Sequence, residues 1–469
     1  MKYKLSNYSI FSKLSDSSKY IVYNTVSGEI CVITDIFYYC LINDLIDQIP
    51  QKPLQSLIEK NIIVEYNKNE LVNIIEENEV AVNSPSVLYE VIQPSANCQL
   101  GCYYCGQTHT KDAQTDEIID LVAQRIIHKF NTGNYTGIYM GWFGGEAIMG
   151  LQQMRKLNKK IKQFCEEKKC SYSGKVASNG LSLKEGIFKE LLQDFQIDQI
   201  EVTLDGVAEY HDQHRYLKSG EKSFDIIYEN LKSILLKDSY DKSKCRITIR
   251  CNVDEKNVDG VLPLIEMMAK DGMHKQIGYF YPVGVYSWGG NDAHKKSLTK
   301  QEFGYLQIQW YIRMYELGFY ESYGIGARKK ITCVAVGGPS EMYDAFGNVF
   351  NCTEVSYSDN YNGTPYVIGN LKDDYLATFK NKPLNDWNET IKNTTNYPCH
   401  KCKILPVCGG ACPKSWIEGM PACPPKKYTM LKDLEMKYIF QTTPKSEISN
   451  KLNEFGKNLK KEEINCYWE

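Results

Sequence analysis

NCQLGCYYCGQTH, Asn97 to His109, holds Cys98, Cys102 and Cys105 with three and then two residues between them. Random placement of the chain's 17 cysteines would give this spacing about 0.02 times, so chance is a poor explanation. Three thiols without a fourth imply an open site. A closed structural metal centre takes four protein ligands, whereas three leave one position for another molecule. In a four-iron cluster each iron ordinarily takes one thiolate, so three cysteines leave one iron uncapped. A zinc site is the competing reading of the same residues.

What precedes and follows the loop places it in a fold. VLYEVI (87 to 92) leads into it, and five further apolar runs follow: GIYMGWF, GKVAS, QIEVTL, CRITIRCNV and IGYFYPV. Stretches of helical length and period, such as DEIIDLVAQRIIHKF and SFDIIYENLKSILLK, lie between them. Six strand-helix units in series predict an α/β architecture, a parallel sheet with crossover helices curled into a partial (β/α)6 barrel. Such folds bind ligands at the C-terminal ends of their strands. The cysteine loop follows the first strand at that end. So do Gly144-Gly145-Glu146, Ser178-Asn179-Gly180 and Asp205-Gly206, and all should converge on one mouth.

Cys98-Gln-Leu-Gly-Cys102-Tyr-Tyr-Cys105, with aromatic Tyr104 before the third cysteine, resembles the signature of radical S-adenosylmethionine (SAM) enzymes. The resemblance implies a 4Fe-4S cluster on Cys98, Cys102 and Cys105, with SAM on the open iron. It further implies that Gly144, Gly145 and Glu146 meet the methionine amino group, and that Ser178 and Asn179 lie near the ribose and carboxylate. VTLDGVAEYHDQHRYLKSGEKSF resembles a segment of sulfatase-maturing and peptide-modifying members. It implies that Arg215 pairs with the SAM carboxylate, a task suited to a bidentate guanidinium. Arg250 and Asn252 are weaker candidates. His211 and His214 read as structural rather than as metal ligands, because no third ligand is suggested nearby.

Seven more cysteines cluster downstream: Cys333, Cys352, Cys399, Cys402, Cys408, Cys412 and Cys423. Their spacing resembles the seven-cysteine SPASM domain, which carries two auxiliary 4Fe-4S clusters and brings the expected total to three. By that pattern Cys399, Cys402, Cys408 and Cys423 close one cluster. Cys333, Cys352 and Cys412 hold the other, leaving a second open iron. The competing reading is a pair of zinc ribbons. The remaining cysteines, among them Cys31, Cys165 and Cys251, read as small buried residues.

The expected organisation is an N-terminal winged-helix-like recognition domain (1–80), a radical SAM barrel (85–310), a SPASM domain (325–430) and a C-terminal helix or tail (431–469). In the first unit, YIVYNT and EICVIT flank a turn at Val26-Ser27-Gly28, and NIIEENEVAVNSPS reads as a polar linker. A net charge of -2 gives no reason to expect nucleic acid or an anionic membrane as partner. With no secretion signal or spanning segment in view, a cytoplasmic protein is expected. The resemblance implies a radical SAM oxidoreductase that modifies a ribosomally made precursor peptide carrying a leader, typically by a thioether or other crosslink. A reductant such as flavodoxin or ferredoxin is implied as well. A sulfatase maturase is the alternative reading, weakened because Thr353, not aspartate, follows Cys352; an iron-sulfur or zinc protein without catalytic activity is a third. No catalytic base stands out among Glu354, His294, the tyrosines and the lysines.

Overall fold

All six apolar runs form strands, each parallel to the next. The computed structural model describes residues 2–14, 18–377, 382–393 and 395–468. The N-terminal unit contains β1 (Tyr3–Leu5), β2 (Ser9–Lys13), β3 (Lys19–Asn24), β4 (Ile30–Thr34), α1 (Asp35–Ile42), α2 (Gln51–Glu59), β5 (Ile63–Glu65) and α3 (Glu70–Asn83). β2, β3 and β4 form one antiparallel sheet with β4 at its edge, and β1 pairs with β5 in another. The polar segment expected to be a linker is α3. Asn69 caps it by accepting from Val72 N, and Ile74, Ile75 and Val82 are buried on one face.

The barrel alternates β6 (Val87–Ile92), α4 (Asp116–Thr132), β7 (Gly137–Trp142), α5 (Leu151–Lys168), β8 (Ser171–Ser178), α6 (Glu185–Gln193) and β9 (Ile197–Thr203). It continues with α7 (Ala208–His214), α8 (Phe224–Leu235), β10 (Arg246–Val253), α9 (Val261–Lys270), β11 (Tyr279–Gly284) and α10 (Lys300–Glu316). Strand order runs β11-β10-β9-β8-β7-β6 with parallel register throughout. Residues facing the helices, including Met140, Trp142, Val176, Ile200, Val202, Ile249 and Cys251, are almost completely buried and form the main core. Their neighbours Glu201, Thr203, Arg250 and Asn252 face a cavity inside the barrel instead.

The sheet does not stop at six strands. β12 (Glu341–Tyr343) pairs parallel with β6, and β13 (Asn348–Phe350) and β14 (Val367–Asn370) extend it antiparallel. The cysteine-rich region is thus a continuation of the barrel sheet. Its short helices are α11 (Leu371–Asp374), α12 (Trp387–Asn393), α13 (Leu405–Cys408) and α14 (Pro413–Ile417). The expected C-terminal helix or tail is two packed helices, α15 (Lys426–Thr442) and α16 (Ile448–Asn458). Ile10, Leu14, Ile21 and Tyr23 of the N-terminal unit share a core with Tyr323, Ile325, Ile404 and Met430. Ile74, Ile75 and Val82 of α3 share another with Val336, Trp387 and Cys399. The first unit is therefore seated on the cysteine-rich region.

At the β6–β12 junction two carboxylates, Glu90 and Glu341, stand opposite each other in register and are both buried. Arg125 binds Glu341 through Nη2 at 2.8 Å and Nε at 3.0 Å. Lys129 Nζ lies 2.5 Å from Glu90 and 3.0 Å from Glu341, and Lys382 Nζ lies 3.0 Å from Glu341. Burial alone would raise Glu341, but Lys129, Lys382 and Arg125 overcome it and hold the carboxyl well below its usual range. Removing one member leaves a buried charge uncompensated. Arg125→Met should destabilise the fold by about 3–5 kcal/mol in denaturant unfolding. Adding Glu341→Gln should recover part of that loss; an unchanged midpoint in the single variant would refute the assignment.

Candidate active site

The loop after β6 is held by its own backbone. Ser95 bridges to Ala113 and Leu100 to Leu217, which fixes the segment carrying Cys98, Cys102 and Cys105 over the barrel mouth. The Gly144-Gly145 turn after β7 packs beneath it, with φ of +80° and +54°. A Cβ on Gly144 would lie 2.1 Å from Gln93 Nε2, and one on Gly145 would lie 2.6 Å from Asn97 O. Only glycine allows this approach. Glu146 N donates to Asn97 O at 2.7 Å, and Gly145 N donates to Gln107 Oε1 at 3.0 Å.

The Glu146 side chain joins this turn to the one after β8. It accepts from Ser178 Oγ at 2.8 Å, from Asn179 N at 2.6 Å and from Ile148 N at 3.2 Å. Burial nevertheless raises its pKa. Asn179 Nδ2 donates to Gln99 Oε1 at 3.0 Å and points to Cys98 Sγ at 3.7 Å, so the cysteine loop and both turns form one assembly.

The opposite side is built from the ends of α7 and β10. Arg215 Nη1 donates to Tyr104 OH at 2.7 Å, Tyr104 OH donates to Asp205 Oδ2 at 2.6 Å, and Asn252 Nδ2 donates to Tyr104 OH at 3.0 Å. Burial would raise Asp205, but His214, Arg215 and Tyr104 together bring it below the ordinary value. Arg215 Nε is buried and, among the described residues, has no hydrogen-bond partner. His211 accepts from Asp205 N at 3.1 Å and sits 3.1 Å from Ser223 Oγ, and His214 lies between Asp205 and Asp254. Both histidines support the loop.

Tyr104, Gly144, Gly145, Glu146, Ser178, Asn179 and Arg215 all line one cavity together with the three cysteines. Gln107, Glu201, Tyr286, Trp288 and Glu354 line it too, and the sequence offered no motif for most of them. Trp288 is brought in by a close approach of two loops. A Cβ on Gly106 would meet Trp288 O at 2.5 Å, and Asn291 Nδ2 donates to Tyr104 O at 2.7 Å. Of the candidate proton acceptors, Glu354 and Tyr286 reach the cavity, whereas His294 is bonded to Ser287 Oγ at 2.6 Å outside it.

Cys399, Cys402, Cys408 and Cys423 line a second cavity beside Trp416 and Lys427. Cys333, Cys352 and Cys412 form a third set. Burial pushes the Cys352 thiol up, and the nearby Cys333 and Cys412 add to the effect. Tyr286 lies within the field of Glu354, Arg250, Cys412 and Cys352, and so connects the first cavity to this set. Among the described residues no three His, Cys, Asp or Glu groups converge tightly enough for a single metal ion. The three cysteines of the opening loop and the four of the second cavity instead stand around open space, an arrangement that fits a multi-iron group, and the partnerless Arg215 Nε fits an anionic ligand at the first.

Residues 91–224 match the family model of a 4Fe-4S single cluster domain. Over 361 residues the chain is 21% identical to the serine-type anaerobic sulfatase-maturating enzyme of Bacteroides thetaiotaomicron, covering 70% of this chain and 83% of that protein. An uncharacterized Synechocystis protein is 27% identical over 140 residues; the match takes in 28% of this chain and spans about a third, 34%, of the relative's length. Among solved structures, anSMEcpe with bound AdoMet superposes at TM-score 0.55 and 17% identity, covering 80% of this chain and 98% of its own. The same enzyme with AdoMet and the Cp18Cys peptide also gives 0.55 and 17%, over 78% and 99%. No helix among the described residues is long and apolar enough to cross a membrane. The chain thus shares its fold with anSMEcpe, and its three-cysteine loop lies within the residues that match the 4Fe-4S single cluster domain.

Proposed function

We propose that the chain is a radical SAM enzyme that modifies a ribosomally made precursor peptide, joining a side chain, such as a cysteine sulfur, to a peptide carbon. The observation that carries this reading is the single cavity in which the three-cysteine loop, the two polar turns and Arg215 meet Glu354 from the cysteine-rich region. SAM held at the open iron of a cluster on Cys98, Cys102 and Cys105 would supply a 5'-deoxyadenosyl radical able to take hydrogen from a peptide carbon. Glu146, oriented by Ser178 and Asn179, is the acceptor for the SAM amino group. Arg215 supplies the free N–H that its carboxylate requires.

The far wall is left for substrate. Glu201, Arg250, Tyr286 and Glu354 form it, with Arg250 Nη1 3.9 Å from Glu201 and Arg250 Nε donating to Asn252 Oδ1 at 2.8 Å. A guanidinium flanked by carboxylates suits a peptide unit, which offers one acceptor and one donor. Cys399, Cys402, Cys408 and Cys423, and the set Cys333, Cys352 and Cys412, would hold two further clusters. A leader peptide has a place on the N-terminal unit. β4 is an open sheet edge, and Val32, Ile36, Tyr39 and Ile42 expose apolar surface beside it.

A sulfatase-maturase activity is the second reading. The Bacteroides relative favours it, as does Glu354, which brings a carboxylate into the cavity although Thr353 occupies the position after Cys352.

Co-expression with short reading frames flanking the gene should yield a peptide lighter by two hydrogens. A formylglycine in a sulfatase-motif peptide, with no change in the flanking peptides, would select the second reading. Anaerobically reconstituted protein should hold about twelve irons. Changing Cys98, Cys102 and Cys105 to alanine should remove about four of them and abolish 5'-deoxyadenosine formation; continued SAM cleavage would refute the site. Ile36→Glu with Tyr39→Glu should weaken full-length precursor binding about tenfold while sparing a leaderless core peptide. Equal loss for both peptides would assign the N-terminal unit a purely structural role.

A further inference from the structure

The segment from Pro398 to Ile404 presents two faces. Cys399, Cys402 and Ile404 line the four-cysteine cavity, whereas His400, Lys401 and Lys403, alternating with them, line a groove on the other side. The N-terminal unit supplies the facing wall, which includes Lys4, Lys68 and Glu70. Four lysines therefore meet one carboxylate. Glu70 is buried and already engaged, accepting from Ser6 Oγ at 2.5 Å and from Asn7 N at 2.9 Å.

The lysines are positioned rather than neutralised. Lys4 Nζ donates to Lys68 O at 2.9 Å, and Lys403 Nζ donates to Ser9 O at 2.9 Å. Lys401 is exposed, and among the described residues neither it nor Lys68 enters an ion pair. With a chain charge of -2, this excess is local and not a reflection of bulk composition. Tyr8 lines the groove and packs in the same buried cluster as Cys399, so the groove and the cavity are separated by little more than one loop.

We propose that this groove docks a small acidic one-electron carrier, a flavodoxin or a ferredoxin, with its redox centre turned towards the four-cysteine cavity. The inference rests on the cluster reading of Cys399, Cys402, Cys408 and Cys423 given above. One electron is exchanged, the carrier changing by one oxidation level and the group in the cavity by the opposite one, with no bond made or broken. Electron-transfer encounters use small interfaces steered by opposite charge, which an uncompensated lysine cluster provides. A leader peptide is the competing occupant. The apolar edge suited to it is at β4, in the other sheet of the N-terminal unit, whereas this groove adjoins β1 and β5.

The test is carbodiimide crosslinking of the full, iron-reconstituted chain to a recombinant flavodoxin and, separately, to a plant-type ferredoxin. Crosslinks from carrier carboxylates should map to Lys68 or Lys401 for at least one carrier, and should fade as NaCl rises from about 50 to about 300 mM. Lys68→Glu with Lys401→Glu should weaken that carrier's affinity at least tenfold by thermophoresis, with iron content and thermal midpoint unchanged. Crosslinks confined to other lysines, or unchanged affinity in the double variant, would overturn the proposal. So would displacement of precursor peptide, rather than carrier, by the same substitutions. Stoichiometric zinc in place of iron would instead show that the cluster reading beneath it had failed.

Discussion

The architecture depends on the parallel pairing of β6 with β12. β6 ends in the loop that bears Cys98, Cys102 and Cys105, and β12 lies within the region that bears the other seven clustered cysteines, after Cys333 and before the remaining six. Joining them edge to edge makes one sheet of two functional halves. The junction is held by Glu90 and Glu341 with Arg125, Lys129 and Lys382, all largely buried. Such a group is costly to desolvate and tolerates little displacement once formed. It therefore fixes the relative position of the halves more than it adds to stability.

That rigidity explains how residues far apart in the chain come to share a cavity. Glu354 reaches the space beside Arg250 because β12 and β13 carry the following loop across the barrel mouth. The N-terminal unit is seated on the same region through Ile10, Tyr23 and α3, so it stands close to the four-cysteine cavity and away from the first one. The surfaces suited to leader, carrier and chemistry are thus distinct.

Much of the site was legible because its chemistry requires particular residues at short spacing. The cysteine loop, Gly144-Gly145-Glu146 and Ser178-Asn179 are local motifs after strands, and the strand rule was enough to bring them together. Arg215 was legible through its segment. Gln107, Glu201 and Trp288 were not, because they enter the cavity through strand register and loop approach, which no local pattern encodes. The acidic stretch forming α3 looked like a linker because Glu76, Glu77 and Glu79 mask the spacing of Ile74, Ile75 and Val82, whose partners lie some 250 residues or more downstream.

The sequence by itself determined the six-strand alternation, the loops at the strand ends and the close spacing of the first three cysteines. Period, turn chemistry and thiol spacing are properties of neighbours along the chain. Only the tertiary structure decided that the sheet continues into the cysteine-rich region, that Glu354 faces Arg250, and that four lysines from two units line one groove. Each of those depends on contacts between distant segments, whose positions follow from buried charges and shared cores rather than from any local preference.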